Sequence, residues 1–581
     1  MPPLVFTPGG GIGVTGTGRG SLGALHSTPG RPVVNAIADW RRRLDAQAWT
    51  KDGRLGFRLI VISCLVTIVV AFLGPSTVTL NVGPANGSLL PPWYVPVEWG
   101  RAIGLPLSEW IVVPALWIGI TLGSVGLVLA WRAVTAGWRP RIHLMFALGV
   151  GLNLATAAVP PLTSADVLMY AAYGRLQRQG FDPYSITPAE LFRETFDPVL
   201  VWTERPWQDT PSVYGPIASA SQWLANVLGG ESMHDIVFWL QVLAVVPFIV
   251  ICAVMVKLAH GDSALQTRSV LFTILNPLLI WAIVAGAHNE ALTLVFAIVG
   301  LFFMRRSAFI TGIFIGLAGA VKVSLVFYGL AMVWGYRHDW RKVIALGIGA
   351  IIPLAILYGV FVPHALFAAS RNTGYISGGS WAPWMWGALD WVLPDSLARS
   401  ITGMLGWAGL FVIGWMLSRV LPWRPVPGAT LPAERDPLTI TVRTAVILCT
   451  AWLVTSPYTL SWYDLIAWAP LALLMPTRLD WLFVLRGTAL SVAYVTGRTV
   501  GFSSVMTDVV AFAMRDIVCS GVQWFVLIAI VHWFWTTNRE WPTRAFVVSG
   551  ARELLFSANR TSPAGSPGGP LVRRWHRPSA D

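Results

Sequence analysis

Residues 307–335 read SAFITGIFIGLAGAVKVSLVFYGLAMVWG, a nearly unbroken apolar run with Arg305 and Arg306 before it and Arg337, Arg341 and Lys342 after it. As one helix this run would be about 43 Å long. Lys and Arg collect in the cytoplasmic loops of membrane proteins, so bases at both ends put both ends on the same, cytoplasmic side. The run is therefore expected to be a short hairpin whose tip, Gly319-Ala320-Val321-Lys322, points to the outer face. Working outward, the other basic clusters agree: Arg41, Arg42, Arg43, Lys51 and Arg54; Arg132, Arg139 and Arg141; Lys257 and Arg268; Arg419, Arg424, Arg435 and Arg443; and the Arg-rich tail. Both termini come out cytoplasmic.

Apolar runs of spanning length lie near 57–73, 109–131, 142–160, 234–259, 269–287, 288–304, 343–363, 403–420, 440–456, 461–477, 480–499 and 515–535. With the hairpin they predict an all-α polytopic membrane protein of about 13–14 transmembrane helices. Composition supports this. Of 581 residues, 55% are hydrophobic and only 12% charged, against about 25% charged in soluble domains; mean hydropathy is +0.62. A water-soluble enzyme, a disordered chain and a coiled coil are excluded. The 31 Trp suit a protein with many membrane interfaces, and membrane lipids are the expected surroundings. The net charge of +13 reads as topology, and no nucleic-acid partner is expected. Cys64, Cys252, Cys449 and Cys519 sit in or beside apolar runs without metal-ligand spacing and read as core residues. No metal site and no cofactor are expected.

The chain then divides into a Gly/Pro-rich tail over 1–35, a membrane domain over 36–535 and a basic tail over 536–581, both tails expected to be disordered. Two long outer loops, 161–233 and 364–402, carry acids and Trp, and loops of this length are usually functional. Within the first, Pro216–Gly229 is apolar but short and reads as an interfacial helix. Gly11-Ile12-Gly13-Val14-Thr15-Gly16 fits GxGxxG but has no strand before it and reads as a chance match. Asn276-Pro277 reads as a kink in the fifth span.

The most informative stretch runs from Pro160 to Tyr184: PPLTSADVLMYAAYGRLQRQGFDPY. Two prolines end a span, Ser164 is an N-cap candidate, and Gly180 is a stop. A helix over 165–179 places Asp166, Tyr170 and Tyr173 on one face. Asp166 is either a chemical group at the membrane edge, flanked by phenols, or a first-turn acid favoured by the helix dipole. The nearby Trp202–Pro216, with Trp207 and Tyr214 among its acids and aromatics, has the composition of a carbohydrate site.

Four blocks, SADVLMYAAYGRLQRQGFDPY, TPSVYGP, NPLLIWAIVAGAHNEAL and GIFIGLAGAVKVS, in this order over about 160–325, resemble the actinobacterial polyprenyl-phosphomannose-dependent alpha-1,6-mannopyranosyltransferase family of integral-membrane, C-type glycosyltransferases. The resemblance implies the C-type architecture, a polyprenyl-phosphate mannose donor, a mannan-type glycolipid acceptor and an active site at the outer face of the plasma membrane. It implies Asp166 as general base. The family often has Ser-Lys-Asp where this chain has Ser164-Ala165-Asp166, so a Lys beside the acid is absent here. Such a reaction needs a base for an acceptor hydroxyl and cations for a departing phosphate, and one displacement on a beta-linked donor inverts it to an alpha product. Cations expected at the outer face are Lys322, Arg205, His288, Arg371 and Arg498. Lys322 at the hairpin tip stands out, because an ammonium is costly in apolar surroundings; snorkelling to the interface is its other reading. Tyr170, Tyr173, Trp207, Tyr214, Asn289, Glu290 and Trp384 are candidates for sugar or acceptor contacts; the His288-Asn289-Glu290 group equally reads as a helix cap, and Trp384 as part of an interfacial belt. Asp464 is a reserve acid. A lipid-linked glycan flippase or transporter, or a transferase using another polyprenyl-phosphate sugar, is the alternative function.

Overall fold

The computed structural model describes residues 31–76, 78–96, 108–204, 207–362, 365, 374–495, 497 and 501–537. The chain divides into Met1–Ala48 and Trp49–Asp581. In the first unit the described backbone is helical from Arg31 onward. The expected tails fall almost wholly outside the described residues. In the second unit all regular structure among the described residues is helical, the all-α polytopic architecture expected from the sequence.

Among the described residues, eight helical segments are long and apolar enough to cross a membrane: Thr50–Phe72, Glu109–Thr135, Met233–Leu258, Ser263–Val284, Trp340–Gly359, Asp395–Val420, Pro437–Thr455 and Ser504–Thr537. Four shorter apolar helices accompany them, Ile142–Ala157, Glu290–Phe303, Ala308–Gly319 and Val323–Gly335. The expected count of about 13–14 exceeds this, because some apolar runs are too short or broken to count. The 461–477 run is a 3-10 turn, Ser461–Asp464, followed by a helix of only 7 residues, Leu465–Leu471. The kink expected at Asn276-Pro277 is present: the helix Ser263–Phe272 stops, Asn276 caps a new turn by accepting from the Leu278 amide at 3.1 Å, and Pro277 enters at its first position. Proline has no N–H to extend the preceding helix, so the chain restarts there.

The 307–335 run folds as the expected hairpin of two short helices, with Lys322 between them. Its basic ends meet other basic loops. Arg305 pairs with Asp436 at 2.8 Å and donates to the Pro427 carbonyl. Arg337 reaches the Glu434 carbonyl, and Arg424 pairs with Asp262 at 3.0 Å. The turns near 260, 305, 337 and 421–436 thus gather at one end of the bundle. Glu290 and Lys322 stand at the opposite end of the short helices Glu290–Phe303 and Ala308–Gly319.

The hairpin is held by backbone contact as well as by side chains. A Cβ on Gly312 would run into the Leu346 carbonyl, one on Gly349 into the Phe309 carbonyl and one on Gly316 into the Ala350 carbonyl. Small residues allow helices in an apolar medium to approach closely, where dispersion and not burial from water holds them. Gly312→Val is therefore expected to destabilise the purified protein by about 1–3 kcal/mol, read as a lowered melting temperature. Gly347→Val, where an added Cβ meets nothing within 4 Å, should leave the melting temperature unchanged.

Candidate functional site

Pro160 and Pro161 close the preceding helix, and the next begins where Ser164 Oγ accepts the Asp166 amide at 3.2 Å. It runs Asp166–Arg178 and ends before Gly180, whose φ of +86° suits glycine. One face is packed: Val167, Leu168, Ala171 and Ala172 are buried, and the Asn226 amide donates to the Ala171 carbonyl at 2.9 Å. Asn226 belongs to the Pro216–Gly229 helix, which presents Trp223, Leu224, Val227 and Leu228 outward. Arg175, paired with Asp197 at 2.7 Å, ties the far end of the Asp166 helix to the rest of the segment.

The opposite face meets a cavity of about 410 Å³, and Asp166, Tyr170 and Tyr173 all line it, as their spacing predicts. Trp207 and Tyr214 form a second wall. Tyr458, Trp462, Tyr463 and Tyr494 form a third, with Lys322 and Arg515 as the cations among the described lining residues. The aromatic walls brace one another: Tyr170 meets Tyr214 edge-on at 5.2 Å, and the Tyr173 hydroxyl donates to the Thr210 carbonyl at 2.9 Å. Burial above all, reinforced by the Asp166 carboxylate, pushes the Tyr170, Tyr173 and Tyr214 phenols well up from their ordinary range. They remain protonated, Tyr173 with its proton given to the Thr210 carbonyl, and their rings can stack on a sugar face.

Lys322 holds its position through Glu290, with Nζ 2.5 Å from Oε1, and lies over the Tyr463 ring at 4.5 Å. Arg515 lies over the Tyr494 ring at 4.3 Å. A second cavity of about 370 Å³ shares Val213, Tyr214, Lys322, Tyr458 and Tyr463 with the first. Its remaining walls, among them Val323, Trp407, Leu410 and Trp452, are mainly apolar. Lys322 is thus common to a cavity that contains Asp166 and a more apolar one beside it.

Behind Asp166 lies His288, fully buried and stacked on Trp462 with ring centroids 3.8 Å apart. Its Nδ1 is 2.6 Å from the Ala282 carbonyl, and its Nε2 is 2.9 Å from Ser164 Oγ and 3.6 Å from Asp166 Oδ2. Gly286 makes room for this arrangement, since a Cβ there would collide with Thr163 Oγ1 and the His288 ring.

Of the residues singled out from sequence, Asp166, Tyr170, Tyr173, Trp207, Tyr214 and Lys322 come together on one cavity. His288 stands behind it, Glu290 holds Lys322, and Asn289 is buried beside a small void with Tyr170 and Gln222. Trp384 is elsewhere, its indole donating to the Asp516 carbonyl at 2.8 Å. Asp464 is buried away from the cavity walls and paired with Arg486 at 3.1 Å, while Arg486 also donates to Thr459. Arg205, Arg371 and Arg498 lie outside the described residues. Arg515 was missed by the sequence reading. The signal was there, an Arg at the first residue of the run 515–535, the same outer-face criterion that selected Lys322. Among the described residues no cluster of three His, Cys, Asp or Glu side chains could hold a metal ion.

Fold and site together are those of a polytopic membrane protein with an acid, two cations and aromatic side chains on one cavity. Residues 55–338 match the family described as Alpha-(1->6)-mannopyranosyltransferase, N-terminal domain. The resemblance drawn from the sequence is borne out over these residues, which are similar to the alpha-(1->6)-mannopyranosyltransferase family. It is 26% identical to alpha-(1->6)-mannopyranosyltransferase B of Corynebacterium glutamicum over 238 residues, 38% of this chain and 39% of that one. It is 24% identical to a probable alpha-(1->6)-mannopyranosyltransferase of Mycolicibacterium smegmatis over 365 residues, 60% of each chain. To alpha-(1->6)-mannopyranosyltransferase A of Mycobacterium tuberculosis it is 26% identical over 330 residues, 53% of this chain and 59% of that one. The matches therefore span from about two fifths to three fifths of these relatives' lengths. No solved structure matches the chain.

Gly286→Ala is expected to push His288 or Thr163 out of place, since the added Cβ would meet both while the His288 ring is held by Ser164, the Ala282 carbonyl and Trp462. The measurement is catalytic turnover beside melting temperature. Turnover should fall on the order of 100-fold, as for a misplacement of about 1 Å, and wild-type turnover would contradict the packing described.

Proposed function

We propose that this protein transfers mannose from polyprenyl-phosphate mannose to a mannan-type glycolipid, forming an alpha-1,6 linkage with inversion at the outer leaflet of the plasma membrane. The observation that supports this most is the shared position of Asp166 and Lys322 on one cavity, with Lys322 also in the wall of a more apolar neighbour. An isoprenoid chain suits the apolar cavity, a phosphate suits the junction, and a sugar extending from it points into the aromatic, acid-bearing cavity.

In this reading the acceptor hydroxyl enters the first cavity and Asp166 accepts its proton. The acceptor oxygen forms a bond to the mannose anomeric carbon as the bond from that carbon to the phosphate oxygen breaks. The phosphate leaves with the electron pair, and Lys322 and Arg515 hold its growing charge. Tyr170, Tyr173, Tyr214 and Trp207 supply hydroxyl donors and stacking faces for the sugars. One carboxylate and two cations suffice for these steps, and we assign no cofactor. The basic loops gathered at the far end of the bundle are the residues that the positive-inside bias puts in the cytoplasm. With them go cytoplasmic termini and an outward-facing site.

Asp166→Asn, reconstituted with polyprenyl-phosphate mannose and a glycolipid acceptor, is expected to lose about 10²–10⁴-fold in turnover while still binding the donor. Full transfer by this variant would remove Asp166 as the base. Lys322→Met alone would leave Glu290 as an uncompensated buried carboxylate, so the cleaner variant is Lys322→Met with Glu290→Gln. It should raise KM for the donor without lowering the melting temperature, and an unchanged donor KM would take Lys322 out of phosphate binding.

A further inference from the structure

The chain of hydrogen bonds behind Asp166 has a defined direction. A carbonyl oxygen can only accept, so the contact between His288 Nδ1 and the Ala282 oxygen puts a proton on Nδ1. In a neutral imidazole this leaves a lone pair on Nε2, which must accept, and the group within reach is the Ser164 hydroxyl at 2.9 Å. With its proton given to His288, Ser164 Oγ keeps its own lone pairs. One of them receives the Asp166 amide. Each donor has one acceptor along the run Asp166 N–H, Ser164 O–H, His288 Nε2, and His288 N–H, Ala282 O.

The Asp166 carboxylate is left out of this run. Its Oδ2 lies 3.6 Å from Nε2, beyond hydrogen-bond distance, and Nε2 in this tautomer has no proton to offer it. Stacking on Trp462 and complete burial fix the ring plane, so the accepting lone pair cannot swing away from Ser164.

We propose that His288 is a positioning residue: as a neutral acceptor it orients Ser164, Ser164 fixes the first turn of the Asp166 helix, and the Asp166 carboxylate is thereby aimed into the cavity without being neutralised by a partner. This rests on the transferase reading given above, and reassigns His288 from phosphate binding to the support of the base. A protonated ring would do the opposite. It would draw the carboxylate into an ion pair and release Ser164.

The test compares four variants of the full-length protein, three single and one double, in the same transfer assay, with donor binding and melting temperature measured alongside. Ser164→Ala and His288→Phe should each lower kcat on the order of 100-fold with donor KM unchanged, and together be no worse than either alone. His288→Gln, whose side-chain oxygen can accept from Ser164, should recover most of the loss. Full activity of Ser164→Ala overturns the inference, as does His288→Gln being as slow as His288→Phe, which would mean that the ring's proton chemistry is what matters. Should His288→Phe fold poorly, Ser164→Ala carries the comparison by itself. Hydrogen exchange across residues 163–170 tests the link without turnover: it should quicken in Ser164→Ala and His288→Phe and not in His288→Gln. Inactive wild-type protein would overturn the transferase reading instead, and the exchange experiment would still decide the role of His288.

Discussion

The ion pair between Lys322 and Glu290 sets the geometry on which the site depends. Glu290 is buried at the start of one short apolar helix, and Lys322 stands at the tip of the hairpin that follows. An isolated ion in apolar surroundings is so unfavourable that each of these groups needs the other. Their pairing therefore fixes the height of the hairpin tip against the next helix. It also holds an ammonium at the one wall that two cavities share. The same rule governs the deeper charges, since Arg486 is paired with Asp464 and Arg268 with Asp480. Asp166 differs: it faces a cavity, with the buried His288 behind it, Nε2 lying 3.6 Å from Oδ2.

How much of this was legible in the sequence follows from what a pattern can encode. Basic residues at both ends of 307–335 gave the hairpin, because charge bias reports which end of a helix is which. Prolines, a cap and a glycine stop gave the Asp166 helix, and helical periodicity put Asp166, Tyr170 and Tyr173 on one face. Asn276-Pro277 gave a backbone break through a missing N–H. These are local signals, read within one or two turns of helix.

Partners far apart in the chain were not legible. Lys322 and Glu290 are separated by 32 residues, and Arg486 and Asp464 by 22, and no local pattern pairs them. Depth can be inferred from hydropathy, but pairing depends on how helices pack. His288 looked like an outer-face cation for the same reason, although the turn over 285–287, with Ala287 at φ +51°, sets it inward against Trp462. An apolar run has no mark of where its helix breaks, as the 461–477 segment illustrates.

The site also crosses a boundary in the chain. Asp166, His288, Glu290 and Lys322 fall within residues 55–338, while Tyr458, Tyr463, Tyr494 and Arg515 come from beyond them. The later helices complete a cavity whose acid and ammonium the earlier ones supply. The most direct measurement is a structure of the protein with polyprenyl phosphate bound. The phosphate is expected within hydrogen-bond reach of Lys322 or Arg515, on the wall that faces Asp166, with the isoprenoid chain running along Val323, Trp407 and Leu410. A phosphate bound at the opposite end beside Arg305 and Arg337, or in any cavity that Asp166 does not reach, would contradict the assignment.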